Sequence, residues 1–232
     1  MNFERPLRFL RNRLSPEDAL GLHLTVGLVI MILGCWLFAD IAEDLQPNES
    51  LFAPDHAVTD WFQAHATPGL TTAARIATTF GSVGFVTTAS IAGALFLLRA
   101  RAWNRLLAFA LTMLGGSALN ILLKHLFHRQ RPVLENPLVT LSSFGFPSGH
   151  TMGATLLYGF LALLAAHAFR RGRSRFAAAL AASVVIACVG LSRIYLGAHY
   201  LTDVLAAIAA GAAWLALCWT AVEIFRRRGK GP

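Results

Sequence analysis

Six apolar runs, each close to twenty residues long, set the terms for this chain. They cover 19–39, 81–98, 106–123, 151–169, 176–192 and 204–222. A helix rises 1.5 Å per residue, so about 20 apolar residues cross a bilayer's hydrocarbon core. The chain is 56% hydrophobic and only 14% charged, whereas a soluble domain is near about 25% charged. The expected fold class is therefore all-α: a polytopic membrane bundle of six transmembrane helices in one domain. No internal repeat, low-complexity tract or soluble domain interrupts it. The first run follows Arg5, Arg8, Arg11 and Arg13, as a secretory signal would. It is long for a signal core and has no small-x-small cleavage site before Asp40, so it reads as the first membrane helix.

The net charge of +8 raises the question of a polyanionic partner. The basic residues lie in short clusters between apolar runs, which is a topology signal, so no nucleic-acid partner is expected. With six spans, fifteen Lys and Arg fall on one side and five on the other. The positive-inside rule then puts both termini in the cytoplasm. Residues 1–18 form a cytoplasmic basic N-terminus, 19–225 the membrane domain and 226–232 a cytoplasmic basic tail. The opposite face carries 40–80, 124–150 and 193–203. Residues 40–80 read as a long acidic, aromatic loop interrupted by Pro47, Pro54 and Pro68. Within it, 55–66 is expected to form a short periplasmic interfacial helix, with Val58, Trp61, Phe62 and His65 at helical spacing. A cap over the bundle and a substrate role both remain open for it. Cys35, Cys188 and Cys218 sit in apolar runs, expected as small membrane-buried residues without disulfide or metal-binding spacing.

The five basic residues on the outer side are Arg75, Lys124, Arg129, Arg131 and Arg193. Four of them lie in or beside two of three clusters that the charge rule does not account for. The first cluster covers 124–132. Lys124 and Arg131 are seven apart and are expected on one helical face, with Pro132 stopping the helix. A mobile ammonium and a planar guanidinium suit a phosphate, although cations at helix ends also simply snorkel. The second is Pro147-Ser148-Gly149-His150, just before a long apolar run. Pro147 suits a helix start, Ser148 can cap, and Gly149 admits close approach of a ligand. The free N–H groups and the positive dipole end favour an anion, and His150 adds an acid or base. The third covers 192–203. His199 and Asp203 are four apart, so on a helix the carboxylate reaches one imidazole nitrogen and leaves the other free to attack. Arg193 supplies another phosphate donor. The topology places all three clusters at one bilayer face. Together they hold the inventory for phosphoryl transfer without a metal: cationic donors, a nucleophile and a general acid.

Lys124-x6-Arg131-Pro132, Pro147-Ser148-Gly149-His150 and Ser192-Arg193-x5-His199-x3-Asp203 together resemble the three-part signature of the type 2 phosphatidic acid phosphatase superfamily. The resemblance covers roughly residues 80–222 and fits the family's six-span membrane members. It implies that His199 is the nucleophile and forms a phosphohistidine. It implies that Asp203 orients His199 and that His150 protonates the leaving oxygen. Lys124, Arg131, Ser148, Gly149 and Arg193 would hold the phosphate, with no catalytic metal and no cofactor. The substrate expected is a membrane lipid phosphate met at the bilayer rim. Undecaprenyl diphosphate is favoured on the outward-facing site; phosphatidylglycerol phosphate, phosphatidic acid and a lipid A phosphate are the other candidates. A phosphotransferase using the same residues is the rival reading, and a non-enzymatic transporter or lipid-binding protein the more distant one. The expected location is a bacterial inner membrane with the site facing the periplasm; oligomeric state is open. Phe146, Tyr195 and Tyr200 are expected in the interfacial aromatic belt. His125 and His128 offer a weak metal pair. Gly149 and Gly153 offer a close-packing G-x-x-x-G.

Overall fold

The computed structural model describes residues 19–43, 45, 52–133 and 143–228. The N-terminal basic segment, Pro47 and the last four residues of the tail lie outside the described residues. The observed elements are α1 (Ala19–Glu43), α2 (Phe52–Ala64), α3 (Pro68–Thr79), α4 (Val83–Arg99), α5 (Trp103–Ala110), α6 (Gly116–Phe127), α7 (Gly149–Ala168), α8 (Gly172–Tyr195) and α9 (Leu201–Arg228). One π-helical turn, Leu111–Gly115, joins α5 to α6, and the Leu111 carbonyl there accepts from the Trp214 indole at 3.1 Å. Among the described residues, six stretches are long and apolar enough to cross a membrane: Leu24–Glu43, Pro68–Arg99, Trp103–Phe127, Gly149–Ala168, Gly172–Tyr195 and Leu201–Arg226. Large apolar side chains such as Leu33, Trp36, Phe96, Leu114 and Phe176 point outward on these helices. Water would penalise such a surface; lipid does not.

The centre of the bundle is α9 against α7. Half of the apolar window of α9 is buried by protein, against 11% for the first span, so α9 is the central helix and α1 leaves most of its surface facing outward. Leu97, Phe109, Met113, Met152, Leu156, Phe160 and Ala207 form the main core, with the Phe109 and Phe160 rings 4.8 Å apart. Small residues on α9 (Ala206, Ala207, Ala209, Ala210) let the neighbouring helices come close. Gly153 is not part of a close-packed seam. A Cβ there would meet Val86 at an ordinary 3.6 Å. All three cysteines are free and lie within spans, Cys35 and Cys188 on outward faces and Cys218 against protein.

Residues 40–80 depart most from expectation. They are not chiefly a loop, because 52–64 and 68–79 are helical. Pro54 and Pro68 sit in first turns, where a missing N–H costs nothing. Thr67 caps α3 by accepting from the Leu70 N–H at 3.3 Å. The interfacial helix exists, but its inward face differs from the apolar stripe. Trp61 and His65 stack on each other at 4.5 Å on the exposed side, while Asp55 and Thr59 are buried.

Candidate active site

The three clusters do meet, at the end of the bundle where α6, α7 and α9 begin or end. The local chain differs from a simple helical reading in each. α6 stops at Phe127, because His128 turns into the left-handed region at φ 46°. Residues 129–132 are then non-helical, so Lys124 and Arg131 do not share a helix face. They converge on one carbonyl instead. Lys124 Nζ donates to Phe144 O at 2.6 Å and Arg131 Nη2 to the same oxygen at 3.2 Å. Arg131 Nε also donates to Ser143 O at 2.7 Å. His125 and His128 set their rings edge-on to the Phe144 ring, at 5.9 and 4.5 Å, and so fix the residue that carries both cations. No cluster of three His, Cys, Asp or Glu side chains suited to a metal occurs among the described residues.

The second cluster begins α7. Gly149 is its first residue and Ser148 its cap position, with Pro147 one step outside rather than in the first turn. Ser148 makes no side-chain cap; its Oγ accepts from Thr151 Oγ1 at 3.0 Å, and its N–H donates to Asp203 O at 3.0 Å. That last bond ties the second cluster to the third. The first-turn N–H groups of α7 lack partners within the helix. Gly149 is crowded as well as open: a Cβ there would meet Asn120 Oδ1 at 3.2 Å. His150, half-buried, feels the charges of Arg193, His199, Arg131 and Lys124.

The third cluster folds around the end of α8. Gly197, at φ 67°, closes a turn in which Ala198 and His199 both donate backbone N–H groups to Arg193 O. His199 precedes α9 rather than lying on it, and the expected pairing survives by another route. Asp203, in the first turn, accepts the Tyr200 N–H at 2.9 Å in the manner of a capping box. The same Oδ2 then lies 3.3 Å from His199 Nδ1. On the far side of the ring, Arg131 Nη1 is 3.0 Å from His199 Nε2. A guanidinium can only donate, so Nε2 holds the lone pair and Nδ1 the proton that goes to Asp203. Burial pushes the His199 pKa down to about 4, against the opposing pull of Asp203, so the ring is neutral at neutral pH. Arg193 is buried, donates from Nη1 to Thr78 Oγ1 at 2.9 Å, and has a buried Nε with no acceptor among the described residues. Such a donor suits a ligand oxygen.

Two residues outside the signature complete the site, Arg129 and Asp55. Asp203 is fully buried, and its other oxygen accepts from Arg129 Nη1 at 2.5 Å. Arg129 Nη2 reaches Asp55 on α2 at 2.7 Å. Asp55 also accepts the Thr202 N–H at 3.0 Å and the Thr202 hydroxyl. Burial opposes the Arg129 charge, but the Asp203 and Asp55 carboxylates outweigh it and push its pKa up. The Arg129 guanidinium lies 4.7 Å from the Tyr200 ring centroid. Tyr200, Tyr195 and Phe146 are all buried, not members of an interfacial belt. The Tyr195 hydroxyl lies 3.0 Å from Thr71 Oγ1 and 3.1 Å from the Thr67 N, and Phe146 packs on Phe38 and Phe127. Spacing could not find Asp55, which lies far from the signature and on a polar stretch. Its one signal is an acidic residue at the start of a short helix on the same membrane face.

Fold and geometry together define a multi-pass membrane protein with an oriented histidine beside clustered cations. The sequence pattern of the PAP2 superfamily matches residues 105–227. The chain is 38% identical over 122 residues to phosphatidylglycerophosphatase B of Bacillus subtilis (strain 168), a match covering 52% of this chain and 59% of that protein. It thus spans less than two thirds of that relative's length. The fold matches the crystal structure described as the first transmembrane PAP2 type phosphatidylglycerolphosphate phosphatase from Bacillus subtilis. The TM-score is 0.73 at 28% identity, over 85% of this chain and 96% of that one. Aquifex aeolicus LpxE matches with a TM-score of 0.58 at 20% identity, over 75% and 97%, a likeness of fold alone. The chain belongs to the PAP2 superfamily.

Proposed function

We propose that this protein is a membrane lipid phosphatase working through a phosphohistidine on His199. The observation that carries the reading is the state of that ring: Nδ1–H held by Asp203, Nε2 bearing its lone pair beside Arg131. The charges fit the substrate class. Lys124, Arg129, Arg131 and Arg193 stand against Asp55 and Asp203, an excess of two positive charges suited to a phosphate monoester dianion. In the proposed reaction, Arg131 and Lys124 turn from their carbonyl partners to the phosphate oxygens. Arg193, Ser148 and the Gly149 N–H supply further donors. His150 takes up a proton once the bound phosphate offsets the cations around it. His199 Nε2 bonds to phosphorus as the bond to the lipid oxygen breaks, and His150 gives that oxygen its proton. Asp203 balances the charge that develops on the His199 ring. His150, now neutral, takes a proton from water as the water oxygen attacks phosphorus. The N–P bond breaks, and inorganic phosphate leaves. The proposed mechanism routes no step through a metal or cofactor.

The basic loops favour a cytoplasmic location for both termini, and that orientation would put the site at the outer face of a bacterial inner membrane. The names of the Bacillus subtilis protein and of the Bacillus subtilis crystal structure favour phosphatidylglycerophosphate as the lipid. Undecaprenyl diphosphate, suggested by an outward site, is the second candidate. The test is phosphate release by the purified protein from a panel of phosphatidylglycerophosphate, undecaprenyl diphosphate, phosphatidic acid and a lipid A phosphate, with EDTA present. Fastest turnover of phosphatidylglycerophosphate is expected. Activity lost in EDTA and restored by a divalent ion would overturn the metal-free mechanism. Transfer of labelled phosphate to an added acceptor lipid, in place of release, would establish the transferase instead.

A further inference from the structure

A group of arginines lines a cavity at the opposite end of the bundle. A cavity of about 400 Å³ opens between the start of α5 and the end of α9. Its walls carry Arg101, Arg105 and Arg226, the carboxylate of Glu223, the His167 ring and the indoles of Trp103 and Trp219. Arg226 is already satisfied, since its Nε and Nη2 clasp both oxygens of Glu223 at 2.8 and 2.6 Å. The exposed side chains of Arg101 and Arg105 have no carboxylate partner among the described residues. Ala102 stands at the cap position of α5 and offers no side-chain acceptor, so the first N–H groups of that helix have no side-chain cap among the described residues. Loop arginines at a membrane face are expected from the charge rule alone. A concave cavity walled by two such guanidiniums and two indoles is not required by that rule.

We propose that this cavity binds the phosphate group of an anionic membrane lipid in the leaflet opposite the candidate active site. Arginine forks match phosphate oxygens, and tryptophan is at home where headgroup meets acyl chain. Trp103 is 60% exposed, leaving an apolar surface beside the cavity for the rest of the lipid. The two sites share helices but not ligands. Arg105 and Lys124 are nineteen residues apart along α5 and α6, about 30 Å at 1.5 Å per residue. A lipid held here cannot present its phosphate to His199. The inference does not rest on the proposed phosphatase reading, because neither arginine belongs to that machinery.

The experiment is native mass spectrometry of the full chain with phosphatidylglycerol, a phosphodiester, set against phosphatidylcholine. Four proteins are compared: wild type, R101Q/R105Q, R105K and R131Q. Retention of phosphatidylglycerol is expected to fall about tenfold or more in R101Q/R105Q, at roughly several-fold per arginine near a membrane surface. R105K, which keeps the charge but not the fork, is expected to retain more lipid than R101Q/R105Q and less than wild type, and thermal unfolding of R101Q/R105Q at the wild-type temperature shows that the altered loop still folds. R131Q alters the candidate active site and is expected to retain the lipid fully. Undiminished retention in R101Q/R105Q would overturn the proposal, as would loss in R131Q alone. Displacement of the lipid by millimolar inorganic phosphate would overturn its lipid part and assign the cavity to a soluble anion.

Discussion

His199 is held by three neighbours and by burial. Asp203 sets its tautomer, Arg131 lies beside Nε2, the Arg193 carbonyl anchors its backbone, and burial keeps the ring neutral. The ring is therefore expected to resist protonation from pH 8 down to about 5, which histidine-selective NMR of labelled protein would show as a resonance that does not titrate. An unfolded histidine takes a proton near pH 6.5, while the folded one does so near 4, so His199 makes the fold less stable as pH drops through that window. Unfolding at pH 7 and pH 5 would show it as a loss at pH 5 that His199→Ala reduces. Asp203→Asn removes the charge while keeping the shape. A fall in kcat of about 10³-fold or more with little change in KM is expected, as where an acid orients a catalytic histidine.

The surface segment α2–α3 is a brace for the third cluster. Asp55 holds Arg129, which holds Asp203; Thr78 holds Arg193; and Thr67 and Thr71 hold Tyr195. Asp55→Ala leaves a buried guanidinium short of one partner, so a stability loss of roughly 3–5 kcal/mol is expected. Thermal unfolding in detergent measures it. Asp55→Asn, which can still accept a hydrogen bond, is expected to keep most of the stability and lose activity through Asp203. Equal activity of Asp55→Asn and wild type at matched folded fraction would show that α2 is only a cap. These links explain which parts of the site are legible in the sequence. Lys124, Arg131, His199 and Asp203 are legible because their spacings within the chain are short. Their means of meeting are not, because His128 and Gly197 take left-handed turns that spacing alone does not reveal. The brace is hidden for a related reason: its partners lie more than seventy residues apart.

The six spans are readable throughout, because a bilayer admits few backbone arrangements and long apolar runs announce them. Span ends are less readable. Pro68–Arg99 starts well before its apolar run, since α3 is helical but polar. The asymmetric charge pattern is expected to give the protein one orientation in the membrane. A reporter fused after Pro232 is expected to read as cytoplasmic, with residues 55–66 accessible from outside. The opposite labelling would place the candidate site in the cytoplasm.

The decisive measurement is where labelled phosphate sits when turnover is stopped. Wild-type protein is quenched in alkali during turnover of a labelled lipid phosphate and then mapped by peptide. An acid-labile label on His199 is expected. His199→Ala is expected to carry no label and to lose turnover by several orders of magnitude. Phosphate release by His199→Ala at the wild-type rate would contradict a histidine nucleophile at this site.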